Sequence, residues 1–178
     1  MERLMSLKQN KIMLYLCVSL IVITVHLVCV GAYSRGAGDA ACYNGVPNHF
    51  NTNEQSDLCP YSITTTQTAY SPGGTVEVTV KVSEPDVVFK GFLCQATTVS
   101  SDKIIGTWFN QASGPSKLLK CDNPNDSVTH VNSGEKTSIT LTWNAPTDIV
   151  GEIQFRCTVV QSYKIYWVHM KSLVLGLQ

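Results

Sequence analysis

The sequence has no excess of charge of either sign. Its 178 residues include 13 Lys and Arg residues and 13 Asp and Glu residues, so the formal net charge at pH 7 is +0. The basic residues from Lys81 onward are scattered and form no run. Because proteins bind nucleic acids through clustered positive charge, we predict no nucleic-acid partner.

The sequence also lacks the short motifs that carry common chemistries. Its cysteines and histidines show no Cys-x-x-Cys, Cys-x-x-His or His-x-x-x-His spacing, which disfavours a structural zinc site. No Gly-x-Ser-x-Gly elbow marks a nucleophilic serine. The aspartates fall in predicted turns, where such residues usually bond backbone amides: Asp86, Asp102, Asp122, Asp126 and Asp148. We therefore predict a protein that is not an enzyme and that binds no metal or cofactor.

Long apolar runs are confined to the N-terminus. A short basic leader precedes residues 12–30, which carry no fully charged side chain, and the small residue Ala32 follows. This pattern is typical of a signal peptide over residues 1–32, cleaved after Ala32. The alternative is an uncleaved anchor, because about 19 apolar residues can cross a bilayer. No second apolar span follows, so we expect a secreted, extracellular protein without stable membrane insertion after cleavage.

The cysteine count agrees with export. Cys17 and Cys29 lie in the leader, and an odd number remains after it: Cys42, Cys59, Cys94, Cys121 and Cys157. At most two intramolecular bridges can therefore form. In an oxidising compartment such cysteines usually serve as staples.

The pattern after the leader is that of an all-β domain. Residues 33–60 show no sustained period and are interpreted as an irregular, disulfide-tethered lead-in. Alternating or short apolar segments then predict strands at 61–68, 75–82, 87–99, 104–109, 117–121, 136–143, 152–161 and 163–174. Phe89, Phe92, Leu93 and Ala96 are expected in the core. Short strands separated by turns, with no helical period, predict an antiparallel β-sandwich.

Several segments together resemble a known family. They are Tyr-Ser-Pro-Gly-Gly-Thr at 70–75, Phe-Lys-Gly-Phe-Leu-Cys-Gln-Ala at 89–96, Val-Thr-His at 128–130, Thr-Trp-Asn-Ala-Pro at 142–146, Phe-Arg-Cys-Thr-Val-Val-Gln at 155–161 and Tyr-Trp-Val at 166–168. In this order they resemble the Reeler (reelin-type) domain across residues 40–172. The resemblance implies an immunoglobulin-like β-sandwich.

The resemblance also bears on the disulfides. It implies a bridge between Cys42 and Cys121, which would tie the lead-in to the loop before the Val-Thr-His segment. Cys94 and Cys157 depart from the family pattern, and they form either a second bridge, if their strands are neighbours, or two buried thiols. Cys59 is then left over and could link two chains as a disulfide-bonded dimer.

Candidate ligand residues come from the histidines and tryptophans. His49 and His130 recur in the family motif, and they serve either as metal or proton-switch groups or as packed residues bonded to backbone. Trp143 and Trp167 fit core positions, whereas Trp108 stands beside a Gly-rich loop. We expect Trp108 and His130 to contribute to an exposed ligand surface.

One modification site is also predicted. Asn125 begins an Asn-Asp-Ser sequence in a predicted turn of an exported chain, which satisfies the N-glycosylation signal.

The family includes small secreted insect defence proteins, matrix proteins such as spondins and reelin, and ectodomains of ferric-chelate reductase-like proteins. The resemblance therefore implies a secreted, non-enzymatic defence or recognition protein. Its expected partner is a microbial surface component or an extracellular or cell-surface protein, contacted through loops near residues 112–117 and 122–133. The alternatives are an adhesion module of the matrix or cell surface, and an accessory of a ferric-chelate reductase.

Overall fold

The structure is a computed structural model, and it describes residues 34–109 and 114–178. The predicted signal peptide lies outside the described residues, as does part of the loop around residue 112. Within the described ranges, no helix has the length and apolar character needed to cross a bilayer.

The described residues form an almost entirely β structure. A single helical turn, α1, spans Ala41–Asn44 in the lead-in. Eleven strands follow: β1 Tyr61–Thr65, β2 Ala69–Tyr70, β3 Thr75–Val82, β4 Gly91–Thr98, β5 Thr107–Phe109, β6 Ser116–Leu119, β7 Ser127–His130, β8 Ser138–Asn144, β9 Ile153–Ser162, β10 Ile165–Lys171 and β11 Gly176–Leu177. The predicted all-β class is confirmed.

The strands form two antiparallel sheets. The first has four strands in the order β1-β3-β8-β5, and the second has five in the order β10-β9-β4-β7-β6. A short parallel pair joins β11 to β2. Strands that are distant in the chain are therefore neighbours, as in a sandwich built from Greek-key connections.

The alternating residues of β3 and β8 face the space between the sheets. Val76, Val78 and Val80 are at most 1% exposed, and they pair in register with Trp143, Leu141 and Ile139 respectively. Phe92, Cys94 and Ala96 of β4, together with Phe155 and Val159 of β9, belong to the same cluster. We call this cluster the inner core. It follows from the period-two patterns that predicted these strands.

Leu93 is buried, as predicted, but on the other face of its strand. It lies outside the inner-core cluster, whereas Phe92 and Cys94 on either side of it belong to that cluster. Successive side chains of a strand point to opposite faces, so Leu93 must face away from the first sheet. All eight residues of β4 are buried. The outer face of the five-stranded sheet is therefore covered as well.

The lead-in supplies that cover. The backbone amide of Ala37 donates to Thr129 Oγ1 of β7 at 2.9 Å. The carbonyl of Gly45 accepts from Thr158 Oγ1 of β9 at 2.8 Å, and the amide of Gln55 donates to the Tyr166 carbonyl of β10 at 2.9 Å. The segment predicted to be an irregular lead-in thus forms a third layer on the sandwich.

Candidate functional site

The first bridge fastens the lead-in to the sheet. Cys42 lies in α1 and is bonded to Cys121, with 5.4 Å between their Cα atoms. Cys121 stands at the turn that precedes β7, which is where the resemblance placed the partner of Cys42. The bridge holds α1 against the outer face of the five-stranded sheet.

The second bridge lies inside the inner core. Cys94 and Cys157 are directly opposite each other on β4 and β9, and their Cα atoms are 4.2 Å apart. This spacing is close to that of a pair without hydrogen bonds in an antiparallel ladder. The bridge therefore joins two strands of one sheet and does not cross between the sheets.

Cys59 is the remaining cysteine of the described ranges, and its thiol is half-buried. Its Sγ lies 3.3 Å from Met170 Sδ, and burial raises the pKa of the thiol. A raised pKa leaves less of the reactive thiolate at neutral pH. A disulfide-linked dimer through Cys59 stays a prediction.

The expectation that Trp108 is exposed was wrong. Its side chain is 2% exposed, and its ring centroid lies 5.8 Å from that of Phe155 in the inner core. Trp108 is the middle residue of β5, whose alternation turns it inward and leaves Phe109 60% exposed. A three-residue strand next to a loop gave too short a pattern to reveal that orientation.

His130 is also not a surface residue. It is the last residue of β7 and is 8% exposed. The backbone amide of Phe92 donates to its Nδ1 at 3.1 Å, which corresponds to the packed, backbone-bonded alternative. The expectation that His130 contributes to an exposed ligand surface was therefore wrong.

Neither histidine of the family motif belongs to a metal-ligand cluster. Among residues 34–109 and 114–178, no three His, Cys, Asp or Glu side chains come together in a way that could hold a metal ion.

Beneath the lead-in lies a layer of buried polar groups, which we call the outer interface. Its centre is Gln95 of β4, which is 2% exposed. Gln95 Nε2 donates to the Cys42 carbonyl at 2.9 Å and to Ser127 Oγ at 3.0 Å. Gln95 Oε1 accepts from Arg156 Nε at 2.9 Å. Every polar atom of the amide is thereby used, as burial requires.

Arg156 extends this network to the sheet edge. Its side chain is 6% exposed, and its Nη1 lies 3.0 Å from Asp102 Oδ2. Asp102 is itself 65% exposed, so solvent screens the pair and its contribution to stability is modest. The guanidinium therefore links the buried amide of Gln95 to an exposed carboxylate.

His169 closes the outer interface on the β10 side. It occupies an irregular stretch of β10 with a φ of 50°, and its Nε2 is buried without a hydrogen-bond partner. A Cβ atom on Gly45 would lie 2.6 Å from that nitrogen, so only glycine fits there. Burial lowers the pKa of His169, and the neighbouring charge of Arg156 lowers it further.

An exposed group of apolar and aromatic side chains stands at one end of the sandwich. We call it the aromatic corner, and it comprises His49, Phe50, Tyr163 and Ile165. The His49 and Tyr163 rings are stacked with centroids 4.5 Å apart. Phe50 is 80% exposed, Tyr163 is 44% exposed and Ile165 is 36% exposed.

The aromatic corner is fixed by bonds between the lead-in and the β9–β10 turn. The backbone amide of Phe50 donates to the Tyr163 hydroxyl at 2.8 Å. His49 is partly buried by the stack, and burial lowers its pKa although a backbone bond at Tyr163 opposes the shift. The corner can therefore offer a neutral, largely apolar surface with an aromatic ring held in place.

Sequence patterns did not reveal this corner. His49 and Phe50 fall in a segment without any period, and Tyr163 was assigned to a strand from 163 to 174. The structure instead ends β9 at Ser162 and begins β10 at Ile165, so Tyr163 lies in the turn. Only the pairing of the lead-in with that turn brings the rings together.

Comparisons with known proteins agree on one family. The family model described as the Reeler domain matches residues 40–178. "Putative defense protein 3" of Antheraea mylitta is 37% identical over 146 residues, which cover 82% of this chain and 87% of that protein. "Putative defense protein" of Bombyx mori is 33% identical over 167 residues, covering 91% and 95% respectively.

Two further matches are limited, the first by the share of the matched protein that it covers and the second by its sequence identity. "Ferric-chelate reductase 1" of Mus musculus is 37% identical over 161 residues, which cover 89% of this chain but only 26% of the reductase. The crystal structure of the human F-spondin reeler domain superposes with a TM-score of 0.59 at 20% identity, covering 72% of this chain and 96% of that domain. At this identity the superposition supports the fold alone.

Proposed function

The chain belongs to the Reeler domain family, and from that premise we propose that it is a secreted defence protein that acts by binding glycans of microbial surfaces and not by catalysis. The match to insect proteins named as defense proteins spans most of both chains, which supports a defence role. The two bridges favour an oxidising, extracellular location.

The observation that carries the proposal is the exposure of the Phe50 side chain next to Tyr163, whose ring is stacked on His49. Large apolar side chains that stand together on a surface often mark binding sites. The backbone amide of Phe50 donates to the Tyr163 hydroxyl, and the Tyr163 ring stacks on His49. The backbone at Phe50 and the ring of Tyr163 are therefore ordered before a ligand binds, which reduces the conformational entropy lost on binding. An aromatic face of this kind packs well against the C–H face of a sugar ring, and the adjacent hydroxyl of Tyr163 can bond its polar edge.

The experiment is retention of the secreted chain on insoluble β-glucan, on lipopolysaccharide and on whole bacterial and fungal cells. Phe50→Ala should reduce retention by about tenfold, because loss of one anchoring aromatic ring costs about 1.4 kcal/mol or more. The variant should keep the fold, since Phe50 is almost fully exposed.

Leu173→Ala is the matched control. Leu173 is also 80% exposed, but it lies beyond the C-terminal end of β10, whereas the aromatic corner lies at the N-terminal end of that strand. Its replacement should leave retention unchanged. Absence of retention on every surface, or equal loss in both variants, would contradict the proposal.

The match to the mouse reductase favours a second candidate function. Nearly all of this chain is similar to a quarter of that protein, which supports a role as an accessory at a cell surface. Binding of the secreted chain to cells that display a ferric-chelate reductase, without retention on microbial glycans, would favour this candidate over the first.

A further inference from the structure

The sequence contains a single N-glycosylation signal, in which the asparagine is exposed and the serine is buried. Asn125-Asp126-Ser127 is the only Asn-x-Ser/Thr sequence in the 178 residues. Asn125 is exposed and lies in a turn with a φ of 64°, a conformation that asparagine tolerates. Ser127, however, is 0% exposed. The two residues that the signal requires are therefore not accessible together in the folded chain.

The hydroxyl of Ser127 is fully engaged inside the protein. Its Oγ lies 3.1 Å from Asp126 Oδ1 and 3.1 Å from Cys121 Sγ, and it accepts from Gln95 Nε2 at 3.0 Å. Gln95 also donates to the carbonyl of Cys42. The Cys42–Cys121 bridge and the hydroxyl of the signal thus share one packed cluster.

The turn itself is held by Asp126. Its carboxylate accepts from the backbone amides of Cys121, Asp122 and Asn123 at 2.9, 2.8 and 2.6 Å. Three amides on one carboxylate make a rigid turn. Exposure of Ser127 therefore requires the turn to open, and the bridge at Cys121 opposes that opening.

N-glycosylation needs both ends of the signal. The Asn amide nitrogen attacks the anomeric carbon of a polyprenyl-diphosphate-linked oligosaccharide; the N–C bond forms, the C–O bond to the diphosphate breaks, and the amide proton passes to the enzyme as the polyprenyl diphosphate leaves. Because the signal demands a hydroxyl two residues after the asparagine, the transferase must reach Ser127 as well as Asn125.

We propose that Asn125 is N-glycosylated only before the Cys42–Cys121 bridge has closed, so that the rate of bridge formation sets the fraction of chains that carry a glycan. Once attached, the glycan fits the folded domain, because the Asn125 side chain is at the surface while its carbonyl accepts from the Trp108 amide at 2.8 Å. The proposal rests on the secretion proposed above but not on the ligand.

The test is synthesis of the full chain in the presence of endoplasmic-reticulum microsomes, with and without dithiothreitol. Protease protection of the chain reports import separately, so failed export is distinguished from failed modification. Occupancy is measured as the mass lost on treatment with peptide N-glycosidase. We expect occupancy to rise about twofold or more when the reductant keeps the bridge open, and Cys42→Ala to raise it without reductant.

Two variants serve as controls. Asn125→Gln should abolish the glycan. In that background, Gly134→Thr creates a signal at Asn132, in the exposed loop between β7 and β8, and its occupancy should not depend on reductant. Gly134 does not have a positive φ, so the backbone tolerates a side chain there. A Cβ atom at this position would lie 2.9 Å from Asn132 Oδ1, and the exposed Asn132 side chain has to turn away to accommodate it.

Three results would overturn the proposal. Equal occupancy of Asn125 with and without reductant would show that bridge closure does not limit access. Absence of a glycan on imported, reduced chains would show that Asn125 is not an acceptor. A matching rise at the Asn132 control would assign the effect to folding in general and not to burial of Ser127.

Discussion

The two faces of the five-stranded sheet are both buried, but by different means. The inner core packs Phe92, Cys94 and Phe155 against the apolar residues of the first sheet. The outer interface places Gln95 and Arg156 beneath the lead-in, where hydrogen bonds satisfy their polar groups. One bridge lies in each region.

The inner core and the outer interface are stabilised by different interactions. In the inner core, stability comes from apolar area removed from water and from dense packing. In the outer interface, each hydrogen bond adds little net stability, but an unmade bond costs the desolvation of its partner. The lead-in should therefore be the weaker attachment and should open without the rest of the sandwich.

The largest effects should come from removing the bridges. The cysteine pairs are separated by 79 residues in the outer interface and 63 in the inner core. On the chain-entropy account, both contribute about 4.5 kcal/mol and differ by about 0.2 kcal/mol. Replacing Cys94 and Cys157 by Ala should cost about 1 kcal/mol more than replacing Cys42 and Cys121, because it also leaves a core cavity.

Urea denaturation of the two double variants measures this difference. Equal loss of stability would show that the inner core relaxes around the missing sulfur atoms. A greater loss for the Cys42 and Cys121 pair would contradict the ranking of the two regions.

A smaller effect is expected at the centre of the outer interface. Gln95→Ala removes bonds to the Cys42 carbonyl, Ser127 and Arg156. It should lower the free energy of unfolding by about 2 kcal/mol, because buried partners lose their bonds. The control is Gln67→Ala, which removes an exposed glutamine whose Nε2 donates to the Thr75 carbonyl. Because water can replace this exposed bond, the control should lower stability by about 1 kcal/mol or less.

Urea denaturation of both glutamine variants provides the measurement. A Gln95 variant as stable as the Gln67 variant would mean that water replaces the lost bonds, and that the interface is not dry.

The smallest effect should be a dependence on pH. The pKa of His169 is lowered in the folded chain by burial and by Arg156; Lys171 acts in the same direction, whereas Asp102 and Glu54 oppose it. The unfolded chain then binds more protons than the folded chain as the pH falls through about 6.5. The free energy of unfolding therefore decreases as the pH is lowered.

His169→Asn isolates this contribution, since asparagine tolerates the positive φ at this position. Urea midpoints measured between about pH 7.5 and 5.5 should change less in the variant than in the parent chain. Some dependence should remain, because burial also lowers the pKa of His49. If the urea midpoint depends on pH equally in the variant and in the parent chain, protonation of His169 does not destabilise the outer interface.

The sequence predicted the inner core better than the outer interface. Strict alternation at residues 75–82 and 136–143 placed Val78 and Leu141 correctly, because a period of two has one geometric meaning in a strand. Gln95 and Thr158 gave no such signal. On a strand with one apolar face, polar residues on the other face usually meet water, and nothing local shows that another segment covers them.

The same limit explains the misplaced ligand residues. Trp108 was assigned to the surface from a neighbouring loop, but its orientation depends on the pairing of β5 with β8. The aromatic corner was missed because it depends on a contact between residues more than 100 positions apart. Contacts of this kind arise from topology and not from local pattern.

Native-state hydrogen exchange in low urea tests most directly whether the lead-in is a separable layer. We expect the amides of Ala37 and Gln55, which bond to β7 and β10, to exchange through local openings that depend little on urea. The amides of β3 and β8 should exchange only through global unfolding, with the full urea dependence. One common opening free energy and urea dependence for both groups would contradict the account.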